Sequence, residues 1–278
     1  MGTMGAVTWG VKGAGMSQTA ATYPTPPGTG GRTLGVLEAT RLGWRLVMSD
    51  FWRLWVVAFV QMLILMGANY VLGIVAVVLI LPPLAAGMFY VVARRIDGHP
   101  AEVGDLFKGF QDRFGESVVG FLPVAGASLV FGMLLVFVIL AAVLGGIGLA
   151  AAAERDEALA VILVALDAAV ALLVLGVILA IVKLFVLFFI FLFPAVWDHP
   201  ESGWTAAKAS VRLVKEHFWS VIGLVLLFWL LGHAASIVGL LACCIGILFT
   251  GPLVAIWQIA TVTYLYRSWT GRPLAQGA

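Results

Sequence analysis

From Val118 to Gly148 the chain reads VVGFLPVAGASLVFGMLLVFVILAAVLGGIG, without one charged residue. A helix needs about 20 apolar residues to cross a bilayer, and this run exceeds that. It lacks the alternating polar residues that a barrel strand turns to its lumen, so it predicts a transmembrane helix. Comparable runs recur along the chain. Composition agrees: 62% of residues are hydrophobic and 11% charged, with a mean hydropathy of +1.08, where a soluble domain is roughly half apolar. The expected fold class is an all-α integral membrane bundle. A net charge of +2, with no basic cluster interleaved with aromatics, argues against a nucleic-acid partner. Cys243 and Cys244 adjoin inside an apolar run and read as small buried residues, not as a disulfide framework or zinc site. No cofactor signature is present.

The first 33 residues, rich in Gly, Thr, Ala and Pro, cannot bury enough surface to offset their ordering entropy and predict a flexible tail. They lack the apolar core of a signal peptide. Beyond them the chain repeats itself. RLVMSDFW (Arg45 to Trp52) and RLVKEHFW (Arg212 to Trp219) share Arg, Leu, Val, Phe and Trp in register. After each comes an apolar run, a Gly-bounded interruption, and a second apolar run that contains proline and closes on basic residues. The repeated unit is an amphipathic helix followed by a transmembrane hairpin.

A looser copy lies between them. From Val103, apolar residues at 103, 106, 107, 110 and 114 alternate at helical period with Glu102, Asp105, Asp112 and Glu116. In 204–218, Trp204, Ala207, Val211, Val214 and Phe218 oppose Lys208, Arg212 and Lys215. In the first unit Glu38, Arg41 and Arg45 form the polar stripe, with Leu37, Trp44, Val47 and Phe51 turned away from it. Such helices are expected on the membrane surface, in contact with lipids and with a membrane or cytoplasmic protein partner. The reading is three units (34–97, 98–196 and 197–272), a six-residue tail, and six spans near 52–72, 75–95, 118–148, 158–192, 219–238 and 244–266. Twelve basic residues from Arg41 to Arg272, with Lys12 and Arg32 of the tail, fall on one side of this arrangement. The other side holds only Arg155, in an acidic loop. The positive-inside rule then puts both termini and the amphipathic helices in the cytoplasm.

Intramembrane charges are candidates for function by default, and the fourth span carries Asp167 and Lys183. Sixteen residues separate them along the helix, about 24 Å, so they cannot pair. The alternative is that Asp167 sits near one interface and Lys183 snorkels to the other. Gln61, Asn69, Gln258 and His233 read as isolated hydrogen-bonding or turn residues. Ala141 with Gly145, and Ala142 with Gly146, predict close helix packing. Pro82, Pro83 and Pro252 predict kinks.

Two stretches set an aspartate near a histidine: IDGHPAEV at Ile96 and WDHPESGW at Trp197. Neither has the ligand spacing of a metal site, and no metal is expected. Proline suits a first helical turn, and Glu102 and Glu201 suit its positive end, so both stretches read as punctuation between units. His99 and His199 remain a candidate pair if they meet on the cytoplasmic face.

LPPLAAGMFYVVARRIDGHPAEVGDLFKGF (from Leu81) and PAVWDHPESGWTAAKASVRLVKEHFWSVIGLVLLFWLL (from Pro194), with Gly251, Pro252 and Tyr264, resemble a group of bacterial multi-pass membrane proteins. That group is similar to the membrane domain of certain glycerophosphoryl diester phosphodiesterases. The resemblance covers about Leu34 to Gly271 and implies a bundle of about six spans with a membrane-domain role. It does not carry over the catalytic barrel or its reaction. Three classes of function follow. In order of preference they are a non-enzymatic protein organising lipids or partner proteins, a transporter or channel using Asp167 and Lys183, and an enzyme using the Asp-His stretches. The first predicts no continuous polar path, the second a wet cavity reaching Asp167 or Lys183, and the third His99 beside His199.

Overall fold

The computed structural model describes residues 33–152, 157–199, 201–241 and 245–271. Nearly all of the tail, Arg155 with most of its acidic loop, Pro200, Cys243, Cys244 and Arg272 lie outside them. The described residues are helical, without a strand: α1 (Val36–Ser49), α2 (Phe51–Leu72), α3 (Ile74–Leu79), α4 (Leu81–Ile96), a 3-10 turn (Val103–Phe107), α5 (Lys108–Asp112), α6 (Phe114–Ala152), α7 (Glu157–Leu187), α8 (Leu192–Asp198), α9 (Gly203–Glu216), α10 (Phe218–Leu241) and α11 (Ile245–Trp269). Among them, five segments are long and apolar enough to cross a membrane: Phe51–Leu72, Phe114–Leu149, Ala158–Asp198, Phe218–Ile237 and Leu248–Trp269. This is a multi-pass helical membrane protein.

The expected span 75–95 is not one continuous helix. Pro82 and Pro83 lack the amide hydrogens that would extend α3, and they occupy the first turn of α4, where an amide needs no helical partner. They start a new helix at Ile80 instead of bending an existing one. Pro252 does lie inside a helix, α11, and so does Pro123 in α6, which the sequence reading passed over. The expected amphipathic helix from Val103 is also broken, into a 3-10 turn and the short α5, with Arg113 at the joint to α6. Its polar side is not wholly solvated, because Asp105 is buried against Arg94.

Burial is concentrated at one end of the bundle, the capped end. There α4 is the most enclosed helix, burying Leu84, Met88, Val91 and Val92 completely, together with Leu54 of α2, Leu106 of the 3-10 turn, Phe191, Val214 of α9, Leu224 of α10 and Ile256, Tyr264 and Leu265 of α11. The opposite ends of the helices are exposed. No residue in the most apolar stretch of α6 is buried, against 44% of that in α11. Lipid tails solvate apolar side chains as well as a protein core does, so these ends need no protein cover. The hairpin α6–α7 is the extreme case: its arms of 39 and 31 residues are about 58 and 46 Å long.

The three amphipathic segments build the cap, each against the hairpin of another. Helix α1 packs lengthwise on the second half of α11: the Leu34 amide donates to Ser268 Oγ (2.7 Å), the Trp257 indole donates to the Thr40 carbonyl (2.9 Å), and Gly43 abuts Thr261. The 3-10 turn and α5 cross α4, where Gly109 meets Pro83 and Gly87 meets Leu106 backbone to backbone. Helix α9 crosses α6 at Gly203 and Gly120, and its Ser210 hydroxyl donates to Phe188 O (2.9 Å) before α8. Only glycine permits such approaches, since a Cβ would overlap the facing carbonyl. Helix α1 thus buries its small-residue face, Ala39, Thr40, Gly43, Leu46 and Val47, while Leu37, Trp44 and Met48 stay exposed.

Candidate functional site

The Asp-His stretches lie where helices end. Asp97 caps α4 and Gly98 follows at φ +86°, a conformation that suits glycine; the amides of Gly98 and His99 then donate to the carbonyls of Arg95 (3.1 Å) and Arg94 (3.0 Å). His199 caps α8. The next helical turns begin only at Val103 and Gly203. Pro100 is therefore not in a first helical turn as expected, and the N-cap of α9 is Ser202, whose hydroxyl accepts from the Trp204 amide. Each stretch closes one helix before another opens.

Both aspartates are held by α11 and border one cavity. Tyr266 and Arg267, neighbours on the last turns of α11, reach one each. Arg267 donates in bidentate fashion to both oxygens of Asp97 (2.6 and 2.9 Å) and to the Ala93 carbonyl (3.3 Å). The Tyr266 hydroxyl donates to Asp198 Oδ2 (2.7 Å). A planar guanidinium matches a carboxylate in this way, which fixes direction as well as charge. Arg94 pairs with Asp105, and Arg95 with Asp50 (3.3 Å). The last turn of α4 is thereby tied to the 3-10 turn, to the α1–α2 joint and, through Asp97, to α11.

These groups border a cavity of about 210 Å³, lined by Phe89, Tyr90, Ala93, Arg94 and Asp97 of α4, Pro194, Trp197 and Asp198 of α8, and Thr263, Tyr266 and Arg267 of α11. Trp197 shapes one wall. Its indole donates to the Ala86 carbonyl (2.8 Å), its ring lies 4.8 Å from that of Tyr90, and the Arg113 guanidinium sits 5.7 Å from its centroid. The lining mixes apolar and aromatic side chains with the charged Arg94, Asp97, Asp198 and Arg267. The Thr263 hydroxyl donates to the Ile259 carbonyl (2.8 Å), and both carboxylates are engaged by α11. Sequence reading missed Tyr266 and Arg267 as partners of the two aspartates, and Pro194 and Trp197 as walls of the cavity beside them. The signal available was that Arg267 closes its unit as Arg94 and Arg95 close theirs.

None of the other candidates, His99, His199, Asp167 and Lys183, lines this cavity. His99 is exposed, and His199 lies 4.0 Å from Glu201. Among the described residues, no group of three or more His, Cys, Asp and Glu could hold a metal. Asp167 is half-buried, its carboxylate facing Gly145 and Gly146 across the α6–α7 contact; Ala142 lies on the same side, Ala141 is exposed, and so is Lys183. His233 and Gln258 are not isolated. With Ser236 and Thr250 they line a cavity of about 370 Å³ between α10 and α11. His233 Nδ1 is 2.8 Å from the Trp229 carbonyl and Ser236 donates to Gly232 O (2.8 Å), so both polar groups are bonded within their own helix. Neither Asp167 nor Lys183 lines either cavity.

Comparison with protein-family models, curated proteins and solved structures finds no match for this chain.

Proposed function

We propose that this chain is a non-enzymatic multi-pass protein of the bacterial inner membrane that organises lipids or partner proteins at its cytoplasmic face. The observation that carries the reading is the segregation of the molecule. Its ionic groups near the core close on one another at one end, while the opposite ends of α2, α6, α7 and α10 offer apolar side chains to their surroundings. A cap of that kind is a rigid platform, and long bare helices are a lipid-facing surface. The arrangement proposed is six crossings in three units, with α3 and α4 together as the broken second crossing and both termini cytoplasmic. The same proposal includes kinship with the membrane domain of glycerophosphoryl diester phosphodiesterases, without their chemistry.

One observation favours a second reading, solute passage: the cavity of His233, Ser236, Thr250 and Gln258 lies along α10 and α11, both candidate spans. The internal bonding of His233 and Ser236 weighs against it. Vesicles holding the full chain separate the two. With a pH-sensitive dye for proton flux and a self-quenching dye for leakage, lipid organisation predicts traces equal to those of empty vesicles. A flux that Gln258→Ala in this cavity, or Asp167→Asn, abolishes would overturn the first reading.

A further inference from the structure

On the exposed faces of the cap, apart from its ion pairs, two grooves recur at corresponding places on α1 and α9. One is lined by Thr40, Arg41, Trp44 and Arg45 with Trp257 of α11. The other, of about 370 Å³, is lined by Ala207, Lys208, Val211 and Arg212, with Trp204, Lys215, Phe189 and Pro123 around them. Placing Arg45 on Arg212, as the RLV repeat does, places Thr40 on Ala207, Arg41 on Lys208 and Trp44 on Val211. The buried faces match in the same register: Ala39, Thr40, Gly43, Leu46 and Val47 correspond to Ala206, Ala207, Ser210, Leu213 and Val214. Each groove is therefore a product of the fold, built twice.

We infer that both grooves bind the phosphodiester headgroup of an anionic phospholipid, with the apolar floor receiving the glycerol and upper acyl chain. This deepens the lipid-organising reading and rests on it. Charge complementarity is the first argument. Arg94, Arg95 and Arg267 of the cap are each paired with an aspartate. Arg41, Arg45, Lys208 and Lys215, by contrast, form no ion pair with any described residue, and Arg212 reaches only the exposed Glu216 at 3.9 Å. No acidic side chain lines either groove. Second, basic and aromatic side chains share each groove: Lys208 Nζ lies 5.8 Å from the Trp204 ring centroid, and Arg41 and Arg45 line the other groove with Trp44 and Trp257, whose rings meet edge-on at 6.2 Å. Trp and basic side chains favour the headgroup level of a bilayer. Third, Asp50 alone separates α1 from the candidate span of α2, and His217 alone separates α9 from that of α10. The grooves thus lie where a span leaves the bilayer, within reach of lipid phosphate.

Native mass spectrometry of the full chain released from micelles tests this, with phosphatidylglycerol and phosphatidylcholine added in equal amounts. Wild type is expected to retain two phosphatidylglycerol molecules in preference to phosphatidylcholine. R41Q/R45Q and K208Q/R212Q/K215Q should each lose one, with roughly tenfold or greater weakening at the altered groove. All these side chains are exposed, and unchanged thermal midpoints check that the variants fold. The control R53Q/K108Q removes exposed charge outside the grooves and should keep both lipids. Retention of both lipids by the groove variants, or an equal loss in the control, overturns the sites while leaving the broader lipid reading in place. A wild type without preference for phosphatidylglycerol overturns them too. If poly-glutamate instead binds wild type in phosphatidylcholine nanodiscs, and the groove variants lose it, the grooves belong to an acidic protein partner and the lipid assignment is wrong.

Discussion

Three glycines decide whether the cap can close, and each does so through the absence of one carbon. A Cβ on Gly109 would overlap the Pro83 carbonyl, one on Gly87 the Leu106 carbonyl, and one on Gly203 the Glu116 carbonyl. The obstacle is backbone in every case, so rotamer changes cannot relieve it. Gly109→Ala, Gly87→Ala and Gly203→Ala should each cost about 1–3 kcal/mol of stability, read as unfolding in detergent by circular dichroism. Gly132→Ala, with open space around its position, should leave the transition unmoved. If it costs as much as Gly109→Ala, close backbone contact is not what these glycines provide. The sequence marked small residues at Ala141, Ala142, Gly145 and Gly146 because they recur on one helix, though Ala141 is exposed. It offered no such pattern at Gly87 and Gly109, since a crossing between distant segments leaves no periodicity in either.

At the level of elements, helix α4 is tied to its neighbours by ionic latches of unequal burial. In the Arg94–Asp105 pair the aspartate side chain is 8% exposed; in the Arg267–Asp97 pair it is 49% exposed. Arg94→Met would strand a buried carboxylate and should cost about 3 kcal/mol. Arg267→Met leaves a carboxylate that water can reach, and about 1 kcal/mol is expected. Chemical denaturation of the two variants in one detergent measures the difference, and an equal or reversed order would show that burial does not govern these latches. The charges of α4 were legible as helix-terminal residues, but their partners were not, because Asp105, Asp50 and Asp97 are chosen by how helices cross. Local propensity held one signal that the reading of Pro82 and Pro83 as a kink within a span at 75–95 did not use. Two adjacent prolines cannot both sit in mid-helix, so the second apolar run had to break, and it breaks at Ile80.

For the whole molecule, the proposed topology makes the capped end cytoplasmic. With Cys243 and Cys244 replaced by alanine, a membrane-impermeant maleimide should label Tyr70→Cys in intact cells and Glu201→Cys only after permeabilisation. Tyr70 is 93% exposed near the uncapped end of α2, and Glu201 is exposed at the cap. The reverse labelling would invert the orientation and put the basic grooves outside. The solvent of this protein, its helical class and its run of apolar segments were determined by sequence alone, because a bilayer imposes length and composition on each helix separately. Which helices touch, which aspartates Tyr266 and Arg267 take, and where α1 and α9 leave Arg41, Arg45, Lys208 and Lys215 without an ion pair among the described residues were decided only by the tertiary structure. Lipid accepts any apolar face, so hydrophobicity cannot specify partners; those are set by glycine-sized gaps and charge pairs between residues far apart in the chain.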